Sequence, residues 1–259
     1  MSTDSGSVLR RAAAKPDLVL RYDVDAENVI DVRFPRVEGA GANGSAPPPA
    51  PVVVILHGGF WKPEFDRVHT RSMADALVSA GYLVVTPEYR RVRQPGGGWP
   101  GTFEDVALAL EMLPSLLEKA EAGRVDLSRP VLVGHSVGGQ LALWAANRSV
   151  ARRKAGALPV GGVVALAPVA DLTTAARIDL DEGAVQDVLG GDPAEVPERY
   201  AFADPSLLVP IGVPITVLHG DADPYVPMEQ STAFVDAATA AGDAVELIVL
   251  PGPDHFALI

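Results

Sequence analysis

A chain of 259 residues, 48% of them hydrophobic, is long enough to form one large domain with a sizeable core. Its formal net charge of −12 disfavours nucleic acid and anionic membranes as partners. The lack of cysteine excludes disulfides, thiolate metal sites and a cysteine nucleophile, and fits a cytoplasmic setting.

Residues 1–16 are polar and expected to be flexible. They contain no continuous apolar segment, so no signal peptide is predicted. No apolar run approaches the roughly 18 residues that a membrane helix needs. LVLRYD and NVIDVRF alternate in polarity and predict two short antiparallel strands. GAGANGSAPPPAP (39–51) predicts an exposed loop.

After Pro51 strands and helices alternate. PVVVIL (51–56) is a strand, RSMADALVSAG (71–81) a helix ending at a glycine, and YLVVTP (82–87) a strand. TFEDVALALEMLPSLLEKA (102–120) is a helix whose Thr102 and Asp105 resemble a capping box. VLVG, GVVALAP (162–168), PITVLHG (214–220) and AVELIVL (244–250) are strands. GGQLALWAANR and MEQSTAFVDAATAAG (228–242) are helices. Strands that are apolar throughout, alternating with helices, predict a mostly parallel sheet covered on both faces. Residues 171–213 break the rhythm and predict a small cap insertion over one end of the sheet, within one domain spanning 1–259. The basic clusters Arg90-Arg91-Val92-Arg93 and Arg152-Arg153-Lys154 are expected to be solvated loop charges.

Gly134-His135-Ser136-Val137-Gly138 follows the VLVG strand and opens a helix. A G-x-S-x-G turn in that context holds its serine in a strained backbone conformation and presents the hydroxyl above the strand ends. The Val137 amide, at the helix N-terminus, can donate to an oxyanion. Serine needs a base, and where the elbow fixes the order serine, acid, histidine, only His219 and His255 follow Ser136. His255, in a turn past the last strand, is the candidate. Asp223, Asp221 and Asp171 all lie past strand ends and are candidates for the acid. His57-Gly58-Gly59-Phe60-Trp61 directly follows PVVVIL and can supply a second oxyanion donor at Gly59 or Phe60. Phe60, Trp61, Trp99 and Tyr225 are expected to wall a compact acyl pocket.

Together, HGGFW, GHSVGG, HGDADPYVP and PDHF resemble the α/β-hydrolase superfamily across about residues 20–259. The resemblance implies the α/β-hydrolase fold, with Ser136 as nucleophile, Asp223 in the acid position and His255 as base. HGGFW and the spaced segments YRR, GGGWP and FEDV are further similar to the kynurenine formamidase-like and small bacterial esterase branch. The chain departs from that pattern by stopping at Ile259, where relatives usually continue into a helix.

The implied function is hydrolysis of a small carboxylic ester or amide through an acyl-enzyme. The substrate is a small acyl compound, no cofactor or metal is required, and the protein is expected to be a monomer or homodimer. One rival is a non-catalytic hydrolase-fold binding protein, but such proteins usually lose a triad residue and all three are present here. Another is acyl transfer or cyclisation through the same serine. Gly96–Gly101 satisfies G-x-G-x-x-G, yet it lacks a preceding strand and Pro100 offers no amide to a phosphate.

Overall fold

The computed structural model describes residues 9, 11–36, 48–120, 125–151 and 158–259. Its strands are β1 (Leu18–Arg21), β2 (Val29–Arg33), β3 (Ala50–Leu56), β4 (Leu83–Pro87), β5 (Val125–His135), β6 (Gly162–Leu166), β7 (Ile215–Gly220) and β8 (Val245–Leu250). They form an eight-stranded sheet in the order β1-β2-β4-β3-β5-β6-β7-β8. β2 pairs antiparallel with both β1 and β4, and every pair from β4 to β8 is parallel. This is the α/β-hydrolase fold.

Both faces of the central strands are buried. Along β3, Val52, Val54 and Leu56 join one apolar cluster, and Val53 and Ile55 join the other. That is why PVVVIL reads as a continuous apolar run. Each such side chain contributes roughly 1.5–3 kcal/mol by leaving water.

The helices are α1 (Arg71–Ser79), α2 (Gly101–Lys119), α3 (Val137–Ala151), α4 (Leu172–Arg177), α5 (Ala184–Leu189), α6 (Pro197–Ala203) and α7 (Met228–Ala240). α1 buries Ala74 and Val78, four residues apart, in the same cluster as Val84. α2 turns Phe103, Val106, Leu110, Leu113 and Leu117 inward at helical spacing. α3 is buried on every side from Leu141 to Ala146, which suits a helix enclosed by its neighbours. α4, α5 and α6 occupy the insertion between β6 and β7.

Several local expectations change. Thr102 and Asp105 form no capping box. Helix α2 starts at Gly101 without a side-chain cap. The Thr102 hydroxyl instead donates to the Arg90 carbonyl and accepts from Gly98 N–H. Asp105 accepts three hydrogen bonds from Arg90, at 2.7–2.9 Å. The first basic cluster is not solvated as a whole. Arg91 is buried, paired with Glu88 and Glu27 and donating to the Phe65 carbonyl, while Arg93 reaches Asp187 from an exposed position. β5 begins at Val125, well before VLVG. The second basic cluster, most of the 39–51 loop and most of the N-terminal arm lie outside the described residues. Among the described residues no helix is long and apolar enough to cross a membrane.

Candidate active site

β5 ends at His135 and α3 begins at Val137, so Ser136 alone makes the turn. Its φ is +57°, a conformation that costs a non-glycine residue of order 1–3 kcal/mol. The flanking glycines are sterically required. A Cβ on Gly134 would lie 2.1 Å from the Gly138 carbonyl oxygen, and one on Gly138 would lie 2.1 Å from that of Leu56. The Ser136 amide is tied to the Leu166 carbonyl at 2.8 Å. Its hydroxyl is buried and holds no hydrogen bond among the described residues.

His255 opens a 3-10 turn, His255–Leu258, past β8. Its Nδ1 lies 2.6 Å from Asp223 Oδ2, on the loop past the adjacent strand β7. A carboxylate only accepts, so Nδ1 carries the hydrogen and Nε2 is left to take a proton. Burial opposes ionisation of Asp223, but hydrogen bonds from His219 and His255 outweigh it and hold the carboxyl well below its usual range. Asp223 Oδ1 meanwhile accepts from the amides of Tyr225 and Val226, which locks the loop. The other two acids serve turns. Asp221 accepts from Gly252 N–H, and Asp171 caps α4 through Thr174 N–H. His219 is fully buried, 2.7 Å from the Ser231 hydroxyl and 3.0 Å from the Val226 carbonyl.

The loop after β3 lies against this elbow. A Cβ on Gly58 would meet the His135 carbonyl oxygen at 2.8 Å and Ser136 Cβ at 3.0 Å. Gly59, Phe60 and Trp61 follow with φ of 108°, 50° and 55°, a tight left-handed curl. The amides of Gly59, Phe60 and Val137 donate to none of the described residues.

A buried polar web braces this loop from behind. His57 places Nδ1 2.8 Å from the Gly58 carbonyl and Nε2 2.8 Å from Glu88 Oε1, and its ring stacks on Tyr89 at 4.2 Å. Tyr89 donates its hydroxyl to the His57 carbonyl at 2.7 Å. Glu88 also pairs with Arg91 and accepts from Arg67 N–H. Burial raises the Glu88 pKa, but His57, Arg91 and Arg67 together lower it to about 2. In front, Lys62 forms a 2.7 Å ion pair with Asp181 and so ties this loop to the insertion.

The aromatic residues separate. Trp61 is 1% exposed and packs in the core. Trp99 belongs to an aromatic cluster with Phe103 and Phe202, where Phe103 also meets Trp144, two turns along α3 from Ser136. Phe60 is half-buried. Tyr225 is exposed and lies 5.6 Å from the His255 ring, centroid to centroid. The motifs gave no sign of Glu88, Arg67 or the Lys62–Asp181 pair. The one available signal was YRR spaced ahead of FEDV, which the Arg90–Asp105 pair joins.

This arrangement can carry out acyl chemistry. A serine hydroxyl sits in a strained turn. An imidazole, oriented by a carboxylate, stands on the loop beyond, and the loop after β3 lies against the elbow. Among the described residues no group of three or more His, Cys, Asp or Glu could hold a metal ion.

Comparison with known proteins finds esterases of the same fold. The BD-FAE family model matches residues 42–237. The ethyl acetate hydrolase of Pseudomonas putida is 29% identical, over 97% of this chain and 79% of that protein. The esterases LipC and LipQ of Mycobacterium tuberculosis are 25% and 30% identical over 80% of this chain. The chain spans about half the length of those two, 53% and 50%. Among solved structures, a truncated carbohydrate esterase from gut microbiota superposes with a TM-score of 0.76 at 20% identity, covering 95% of this chain and 92% of that one. Esterase B from Lactobacillus rhamnosis gives 0.74 at 23% identity, covering 96% and 81%.

Proposed function

The chain belongs to the BD-FAE family, and from that membership and the geometry of its elbow we propose that it is a serine hydrolase of small carboxylic esters. The supporting observation is the strained Ser136 at the β5–α3 turn beside the 2.6 Å Asp223–His255 pair. The esterase names of its relatives favour the same activity.

Ser136 Oγ attacks the acyl carbon and His255 Nε2 takes its proton. The negative charge that develops on the acyl oxygen is met by the amides of Val137 and of Gly59 or Phe60. Asp223 keeps the imidazole in the required tautomer and stabilises the imidazolium. The proton then passes to the departing alcohol. Water, deprotonated by the same histidine, then attacks the acyl carbon, and the histidine returns that proton to Ser136 Oγ as the acid leaves. The chain's own groups perform each step.

Tyr225 and Phe60 border the acyl site, and the insertion 171–213 serves as its small cap. Aryl formamides are the narrower substrate candidates, on the strength of HGGFW. The direct test is hydrolysis of p-nitrophenyl acetate and butyrate by the purified chain. Rates no higher than those of buffer for every short ester would reject the proposal.

A further inference from the structure

His135 stands one peptide bond before Ser136 and is 1% exposed. Its Nε2 lies 2.9 Å from the backbone carbonyl oxygen of His255. A carbonyl only accepts, so Nε2 carries the hydrogen. Burial, and then the neighbouring His255, push protonation of this ring well below the ordinary histidine range, so it stays neutral. Nδ1 is therefore bare, and it has no partner among the described residues. It faces Gly58, where a Cβ would come within 3.1 Å of it. The ring is wedged between the oxyanion loop and residue 255, its centroid 4.4 Å from that of His255.

His255 needs such a support. Its turn follows β8, the last strand at one edge of the sheet, so only β7 flanks it there. Asp223 orients the imidazole, and the Asp254 cap and the buried Ile259 hold the turn locally, but neither ties the residue 255 backbone to the elbow. The hydrogen bond from His135 supplies a second fixed point, on the backbone itself. His135 and Ser136 are consecutive, so one peptide unit and one hydrogen bond set the distance from the nucleophile to the backbone of residue 255.

We infer that His135 is a positioning residue, holding His255 in register with Ser136 through the bond from its Nε2–H to the His255 carbonyl. The inference rests on the serine-hydrolase proposal. It gives the residue before the nucleophile a role that a packing residue could not fill. A leucine would occupy the same space and donate nothing.

The test compares His135→Leu with His135→Gln, whose side-chain amide donates from a similar reach. Turnover of p-nitrophenyl butyrate is read alongside the far-downfield proton resonance between His255 and Asp223. In the leucine variant kcat falls about 100-fold with KM little changed, the scale expected when a catalytic group is misplaced by about 1 Å. Its downfield resonance shifts or disappears. Glutamine recovers most of kcat and keeps the resonance. Parent-like kcat and resonance in the leucine variant would overturn the inference. So would an equal loss in both variants with the resonance unmoved. If the leucine variant does not fold, His135→Asn, whose amide stops one bond short, replaces it with the same expectations. The resonance needs no turnover. It therefore decides the positioning role even where missing fluorophosphonate labelling of Ser136 in the parent rejects the serine-hydrolase proposal.

Discussion

Asp223 Oδ2 lies 2.6 Å from His255 Nδ1, although 32 residues separate the two in sequence. The contact joins the loops past two adjacent parallel strands, β7 and β8. Asp221, two residues earlier in the same loop, turns outward to the Gly252 amide. Asp223→Asn is therefore expected to lose most turnover, because an amide cannot stabilise the imidazolium. Asp221→Asn keeps an acceptor for Gly252 and should stay within about tenfold of the parent, about 1.4 kcal/mol in barrier. Steady-state kinetics of both variants decide the matter. The reverse ranking would move the acid role to Asp221.

Ser136 is the side chain acylated in the proposed mechanism. A fluorophosphonate probe should add once per chain, and peptide mapping should place it on Ser136. Ser136→Ala should abolish labelling and lower kcat by about 10⁴-fold or more. Adduct formation on another serine would contradict the assignment.

Glu88 is 1% exposed at its side chain and is surrounded by His57, Arg67 and Arg91. Breaking one partner out of such a buried network costs about 3–5 kcal/mol. Glu88→Gln should therefore shift the urea midpoint by a corresponding amount. Because His57 and Gly58 hang from this web, kcat should fall more than KM rises. An unshifted midpoint would show that the web adds nothing to stability.

Acid should weaken the fold in two stages. Burial keeps His135 neutral, and burial with the charge of His57 lowers His69 to about 3. The unfolded chain protonates both near pH 6.5 while the native chain does not. Stability therefore falls as pH drops below about 6.5, by up to about 1.4 kcal/mol per pH unit for each histidine. Asp223 and Glu88 are lowered as well and act in the same direction at lower pH, since folding favours their carboxylate forms. Their contribution is full above the unfolded value near 4 and is lost as pH falls toward the folded values, about 2 for Glu88. Urea midpoints measured from pH 7 to 3 should show both stages, and His69→Phe should flatten the first. A midpoint constant between pH 7 and 5 would refute the neutral state of these rings.

The compact acyl site proposed at Ser136 sets an upper limit on substrate size. p-Nitrophenyl acetate and butyrate should exceed long-chain esters in kcat/KM. A rate that climbs to a maximum at long acyl chains would reject a compact pocket. N-formylkynurenine belongs in the same series. If short esters turn over and the formamide does not, the esterase proposal stands and the formamidase likeness is lost.

The order of strands and helices from Pro51 onward was legible in the sequence because it rests on local patterning. Continuous β-branched runs mark strands buried on both faces, and 3.6-residue spacing marks helices. The elbow was legible for the same reason. Gly134 is required by a backbone contact within a few residues, against Gly138, while Gly138 packs on the distant backbone of Leu56 and His57.

What only the tertiary structure decided depends on contacts between distant segments. Asp221 and Asp223 are the same residue type in one loop, and the path of that loop alone determines which carboxylate meets His255. Trp61 was expected at a pocket wall, but left-handed φ values from Gly59 onward carry it into the core. Thr102 and Asp105 have the spacing of a cap, yet Arg90 stands close enough to take both. The web of His57, Glu88, Arg67 and Asp31 brings together four segments, and no periodicity in any one of them encodes the others. Local pattern records which side of an element faces the core. It does not record which charged group arrives there from elsewhere in the chain, because that depends on how the crossovers set the strands side by side.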